Sequence, residues 1–156
     1  MLITLDLETN TDHDTIWCGV TEEVETGKQL VHTSPGTLLP VLREATGVIG
    51  HNIIGFDAPV LENVWGIHTP VHILIDTLVL SRLYNPSMEG GHSLDSWGKR
   101  FGDLKLDFSD YNAGLSDEMI DYCKQDVALT TKLYKHLTNV LKQEDFADKC
   151  VDLEHQ

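Results

Sequence analysis

Apolar and polar residues alternate through the first nine positions: Ile3, Leu5 and Leu7 alternate with Thr4, Asp6 and Glu8. A period of two predicts a β-strand with the apolar set on one face and both carboxylates on the other. Asn10 to Asp14 is turn-rich, Ile16 to Val20 reads as a second strand, and Thr26-Gly27-Lys28 turns into a third, Gln29 to His32. Ser34-Pro35 offers an N-cap and a first-turn proline for a helix through Glu44. Gly47 to His51 is a short buried-type strand, and Asp57 to Trp65 has helical spacing with Pro59 in its first turn. His72 to Ile75 predicts a fifth strand and Thr77 to Tyr84 a helix. Asn85 to Gly91 is a breaker-rich loop, and Ser93 caps a helix that stops at Gly102. After an irregular stretch over 103–115, Ser116 caps a last helix, with Leu115 stapled to Ile120, reaching about Gln143 with a break near Asp126. Three hairpin-linked strands followed by helix-linked ones imply an α/β fold. Its mixed five-stranded sheet has three antiparallel N-terminal strands, then two parallel ones, flanked by helices.

The alternating first strand raises a chemical problem. Two carboxylates on one face of an apolar strand repel each other and resist desolvation unless something cationic sits against them. Charge makes the problem general, since 25 acids outnumber 11 bases for a net charge of −14. That balance argues against a free-standing, high-affinity nucleic-acid binder, whose footprint is a basic stripe. It leaves room for an enzyme that handles a few nucleotides through metal ions. Arg82, Lys99, Arg100 and Lys105 cluster, whereas residues 106–121 hold five acids and no base. Cys18, Cys123 and Cys150 are widely spaced and odd in number, so they indicate neither a disulfide framework nor a zinc knuckle. No apolar run approaches the roughly 18 residues of a membrane span, which makes a cytoplasm the expected location.

Two later constellations complement Asp6 and Glu8. Asn52-Ile-Ile-Gly-Phe-Asp57 follows the fourth strand, and Tyr122-Cys-Lys-Gln-Asp126 puts its tyrosine and aspartate on one helix face. Singly each has an ordinary reading. Asp57 suits a helix N-cap, Asp76 another, and Tyr-x-x-x-Asp a surface pair. Phe56 is expected in the core.

In this order the three segments resemble the DEDD superfamily of 3′–5′ exonucleases, in the branch with tyrosine in the third motif and an RNase H-like fold. Ile75-Asp-Thr-Leu-Val-Leu-Ser-Arg-Leu83, His92-Ser-Leu-Asp-Ser-Trp-Gly-Lys-Arg-Phe-Gly102 and Met119-Ile-Asp-Tyr-Cys-Lys-Gln-Asp-Val127 look like the proofreading domain of family A DNA polymerases of short-tailed bacteriophages. The resemblance covers Leu2 to about Leu137, with a shorter loop at 85–91 than in the phage enzymes. It implies one exonuclease domain over 1–156 with no polymerase domain, either stand-alone or excised.

It further implies a reaction. Asp6, Glu8, Asp57 and Asp126 would hold two divalent ions, Mg²⁺ or Mn²⁺, whose charge removes the repulsion within the cluster. Asp6 would bridge both ions, Glu8 and Asp126 would complete the nucleophile-bearing site, and Asp57 would serve the second. Tyr122 would orient the attacking water, because a phenol with pKa near 10 is a poor base at neutral pH. Asn52, Lys99, Arg100 and Lys105 are candidate substrate contacts. The expected substrate is a single-stranded or frayed 3′ DNA end, and a separate DNA polymerase subunit is a candidate partner. Two alternatives stand beside this: an exoribonuclease of the RNase D or oligoribonuclease kind, and a non-catalytic module of the same fold serving a replisome.

Overall fold

The computed structural model describes residues 1–103 and 106–143. Five strands form one sheet in the order β3-β2-β1-β4-β5. They are β1 (Leu2–Thr9), β2 (Ile16–Glu23), β3 (Gln29–His32), β4 (Gly47–Gly50) and β5 (Leu74–Asp76). The β1–β2 and β2–β3 pairs are antiparallel, and β1–β4 and β4–β5 are parallel. The predicted mixed sheet is therefore the one observed. β2 runs three residues beyond its predicted end, paired along β1 as far as Ile3↔Glu23. His51 falls in the turn after β4, and the fifth strand begins only after a 3₁₀ turn over Val71–Ile73.

The central strand is covered on both faces. Ile3, Leu5 and Leu7 pack with Leu38 and Leu42 of α1 (Pro35–Glu44) and with Val60 and Leu61 of α2, which spans residues 53–65. On the opposite face Cys18 and Val20 meet Met119, Cys123 and Val127 of α5 (Asp117–Gln143). Register places Asp6 opposite Val20 and Glu8 opposite Cys18, so both carboxylates face α5. A third apolar cluster joins Trp97 of α4 (Leu94–Phe101) to Leu133 and Leu137 of α5 and to Leu80 and Tyr84 of α3 (Thr77–Tyr84). Trp97 Nε1 donates to Ser81 Oγ at 2.8 Å, which satisfies its buried indole N–H.

α5 is continuous where a break was expected near Asp126. The Thr130 and Thr131 hydroxyls bond back to the carbonyls of Asp126 (2.8 Å) and Val127 (3.2 Å), and the helix carries on through both. Ser116 caps α5 as predicted, its Oγ accepting Met119 N–H at 3.1 Å. Leu115 remains 45% exposed, so the expected staple is not a buried one. Ser93 caps α4 through Ser96 N–H at 3.0 Å, whereas Ser34 makes no side-chain cap to α1.

α2 departs most from its predicted form. It begins at Ile53 rather than Asp57 and is mostly wide, π-type turns, with Ala58 N–H donating to Ile53 O. Pro59 has no N–H to continue an α-helical ladder here, and a widened turn accommodates it. Gly50 allows the close approach that starts it, since a Cβ there would stand 2.7 Å from Ile53 Cβ. Asp57 is consequently an interior residue of the turn, not an N-cap, and makes no cap bond. Gly66, at φ 67°, ends the helix in the left-handed region that a Cβ disfavours.

Candidate active site

Asp6 and Glu8 point from the middle of the sheet toward α5. With Cys123 they form the one group of convergent metal-ligating side chains among the described residues, each offering an atom within 4.8 Å of the others. Cys123 Sγ lies 3.5 Å from Asp6 Oδ2 and 3.5 Å from Asp6 O. Asp57 and Asp126 stand outside that tight group but act on it electrostatically. Burial, then the Asp6 and Asp126 carboxylates, push Glu8 from its ordinary 4.5 up to about 10. Asp57, 3% exposed, is also raised, by burial first and the Asp6 charge second, with the amides of Asp57 and Leu7 opposing.

A buried brace delivers Asp57. Asp76, at the end of β5, accepts N–H bonds from Asn52 (2.8 Å), Ile54 (3.2 Å) and Leu78 (2.9 Å). It is the predicted N-cap of α3, and it also fixes the first turn of α2. Asn52 adopts the left-handed conformation at φ 62° there, and its carbonyl accepts Phe56 N–H at 2.9 Å.

Tyr122, half-buried, stands one helical turn before the buried Asp126 on α5. Burial and then the Asp126 charge raise its phenol well above the usual range, so it stays protonated. Aromatic rings wall it in. Phe108 lies 5.9 Å from Tyr122 and 5.1 Å from Tyr111, and Trp17 Nε1 donates to Tyr111 O at 2.7 Å. Thr11 N–H and Asn112 Oδ1, 3.1 Å apart, tie the loop after β1 to the same segment. A cleft of about 220 Å³ opens beside Glu8, lined by Thr9, Thr11, His13, Phe56 and Tyr111. Phe56 packs partly on the core as expected, but it also faces this cleft, edge-on to His13 at 4.9 Å.

The candidate substrate contacts fare differently. Asn52 is exposed next to the Asp57 turn. Lys99 is exposed and pairs with Asp95 at 3.3 Å on α4. Arg100 donates to the carbonyls of Glu89 (2.8 Å) and Gly91 (2.6 Å) and lies over the Trp97 ring at 4.9 Å, which closes the loop before α4. Lys105 lies outside the described residues. Tyr111 and the two cysteines were missed by sequence reasoning. Only the register of β2 against β1 and the position of Cys123 between Tyr122 and Asp126 could have flagged the thiols.

Glu8 and Asp57, held above the ordinary carboxylate range by burial first and by neighbouring charge second, fit a divalent cation. Asp57 Oδ2, buried without a hydrogen-bond partner, is a ready oxygen ligand, and carboxylate oxygens suit Mg²⁺ or Mn²⁺.

Residues 14–142 match the sequence family described as a 3′–5′ exonuclease. The chain belongs to that family. The matched span contains Asp57, Tyr122 and Asp126, and Asp6 and Glu8 precede it. This exonuclease sequence is 26% identical over 185 aligned positions to the DNA-directed DNA polymerase of Escherichia phage T7, covering 87% of this chain and 26% of the polymerase. It is 28% identical over 130 positions to that of Enterobacteria phage T3, covering 58% and 18%. The chain thus spans about a quarter or less of these relatives. Among solved structures, Brucella melitensis NrnC with bound Mg²⁺ superposes with a TM-score of 0.74 at 21% identity, covering 95% of this chain and 77% of that one. Exonuclease X in complex with 5′ overhanging duplex DNA gives 0.62 at 19% identity, covering 90% and 92%. The fold is the RNase H-like exonuclease fold, and divalent metals are typical of this family.

Proposed function

We propose that the chain removes 5′-mononucleotides from single-stranded or frayed 3′ DNA ends, using two divalent ions held by Asp6, Glu8, Asp57 and Asp126. The observation that carries this reading is the buried, mutually repelling carboxylate cluster beside Tyr122 and an open cleft. Bound there, divalent ions would activate a water and neutralise charge at both the attacking and leaving oxygens. Asp6 would serve both ions, Glu8 and Asp126 would complete the site that activates the water, and Asp57 would serve the second. The protonated Tyr122 hydroxyl orients the water whose oxygen forms the new bond to phosphorus. The water gives up a proton to solvent as that bond forms, the P–O3′ bond breaks, and the departing 3′ oxygen takes up a proton from solvent. The cleft lined by Thr9 and Phe56 would receive the terminal nucleotide, and Asn52, exposed at the start of the turn that carries Phe56 and Asp57, would contact it.

DNA as substrate rests on similarity to the phage polymerases, which also supports replication proofreading beside a separate polymerase subunit. An RNA substrate is the second reading, because the carboxylates act on the phosphodiester and not on the sugar. NrnC has been solved bound to pGG, so a short oligonucleotide belongs in the test. The experiment is digestion of matched labelled DNA and RNA strands, and of a dinucleotide, with Mg²⁺, Mn²⁺ or EDTA, beside Asp6→Ala. Metal-dependent release of mononucleotides from DNA 3′ ends is expected, faster than from RNA. Activity surviving Asp6→Ala overturns the site, and faster RNA digestion overturns the DNA assignment. Given the net charge of −14, long-DNA binding should be weak without metal. Nanomolar binding in EDTA would contradict this.

A further inference from the structure

We propose that Asp6, Glu8 and Cys123 also form a mixed thiol–carboxylate site for zinc within the carboxylate cluster. The inference rests on Asp6 and Glu8 as metal ligands, but not on the reaction they serve. Zinc bonds of about 2.3 Å to sulfur and 2.0 Å to oxygen, at tetrahedral angles, put two ligands about 3.5 Å apart. Cys123 Sγ and Asp6 Oδ2 are already 3.5 Å apart, and Glu8 brings a third ligand atom within 4.8 Å of both. Cys18, opposite Glu8 in the sheet, is in hydrogen-bond contact with the Cys123 thiol and serves as the partner that orients it. Asp57 Oδ2, buried without a hydrogen-bond partner and within reach of the Asp6 charge, also calls for a cation in this space.

A sulfur donor changes which metal wins. Magnesium takes hard oxygen ligands and gains little from a thiol, whereas thiolates favour zinc, which also stands high in the general affinity order. On binding, the Cys123 S–H proton passes to solvent as the zinc–sulfur bond forms, and no electrons are exchanged. The ion then uses the two carboxylates that the magnesium-dependent reaction needs.

Cobalt(II) is the probe, because only a thiolate ligand gives it an intense sulfur-to-metal charge-transfer band in the near ultraviolet. One cobalt per chain with that band is expected in the wild-type protein. Zinc should bleach it at stoichiometric amounts. The band should vanish in both Cys123→Ser and Cys123→Ala, with folding checked by circular dichroism, and persist in Cys150→Ser. Loss of an outer-shell partner costs roughly 10–100-fold in metal affinity. Loss of this ligand should therefore weaken zinc binding, measured by chelator competition, by at least about tenfold. A wild-type cobalt spectrum without the band, or a band surviving both Cys123 variants, overturns the proposal, as does its loss in Cys150→Ser. Magnesium-dependent digestion by the wild type is read separately, so its failure would count against the nuclease reading alone.

Discussion

The Asp76 carboxylate accepts the backbone N–H of Asn52 at 2.8 Å and so joins the end of β5 to the start of the turn that carries Asp57. The same side chain caps α3 through Leu78 N–H and holds Ile54 N–H. A residue remote from the reaction by sequence thereby sets where one of the four carboxylates stands.

Removing that brace should loosen both the fold and the site. Asp76→Ala frees three amides in a buried region and should cost about 2–3 kcal/mol, the size of a lost cap plus a charge-assisted bond. Urea denaturation measures the first effect, and Mg²⁺-dependent digestion under native conditions the second. Stability within about 0.5 kcal/mol of wild type would show that the three bonds have replacements.

A buried hydroxyl pair docks α5 on the sheet. Thr131 Oγ1 and Thr4 Oγ1 share a hydrogen bond at 2.7 Å, two residues before Asp6. Thr131→Val should cost about 1–3 kcal/mol because the Thr4 hydroxyl is left buried without that partner. The double variant with Thr4→Val should recover part of the loss, since neither hydroxyl then needs a mate. Additive costs in this double-mutant cycle would exclude the coupling.

These two relationships show what was legible in the chain and what was not. The period-two pattern of Ile3 to Glu8 settles which face carries the carboxylates, because a strand permits only two. The hairpin at Thr26-Gly27-Lys28 and the capping serines Ser93 and Ser116 are local signals with local outcomes. Asp57 is different. Its inward position depends on a wide turn around Pro59, on contact across Gly50, and on an aspartate two elements later. The same holds for Arg100, a plausible phosphate contact by charge that closes a loop over Trp97, and for Cys123, which meets Asp6 only across 117 residues.

The carboxylate cluster makes the metal-free protein sensitive to pH in an unusual direction. Glu8 titrates near 4.5 when unfolded and at about 10 when folded, so between those values the folded state holds a proton that the unfolded chain has released. Its contribution to stability is therefore full below about 4.5 and is lost as pH rises toward 10. Asp57, raised by the same causes, adds a slope of the same sign. Thermal melting in EDTA should show Tm falling between about pH 5 and pH 9. Mn²⁺ should flatten the slope, because it binds the ionised carboxylates. Asp6→Asn, which removes a neighbouring charge, should raise the melting temperature of the metal-free protein at the alkaline end. A Tm that climbs with pH in EDTA would refute the electrostatic account.

Tyr122 separates water orientation from proton abstraction. Its phenol is raised by burial and by Asp126, so at working pH it can donate a hydrogen bond but cannot act as a resident base. Tyr122→Phe keeps the ring that meets Phe108 and removes only the hydroxyl. The loss in kcat should be on the order of 10²-fold, the cost of misplacing one reactant, with little change in KM. The shape of the pH–rate profile should be retained, because the group that titrates is not the one removed. If Tyr122→Phe instead erased a limb of that profile, the phenol would be the base and the orienting role would fail.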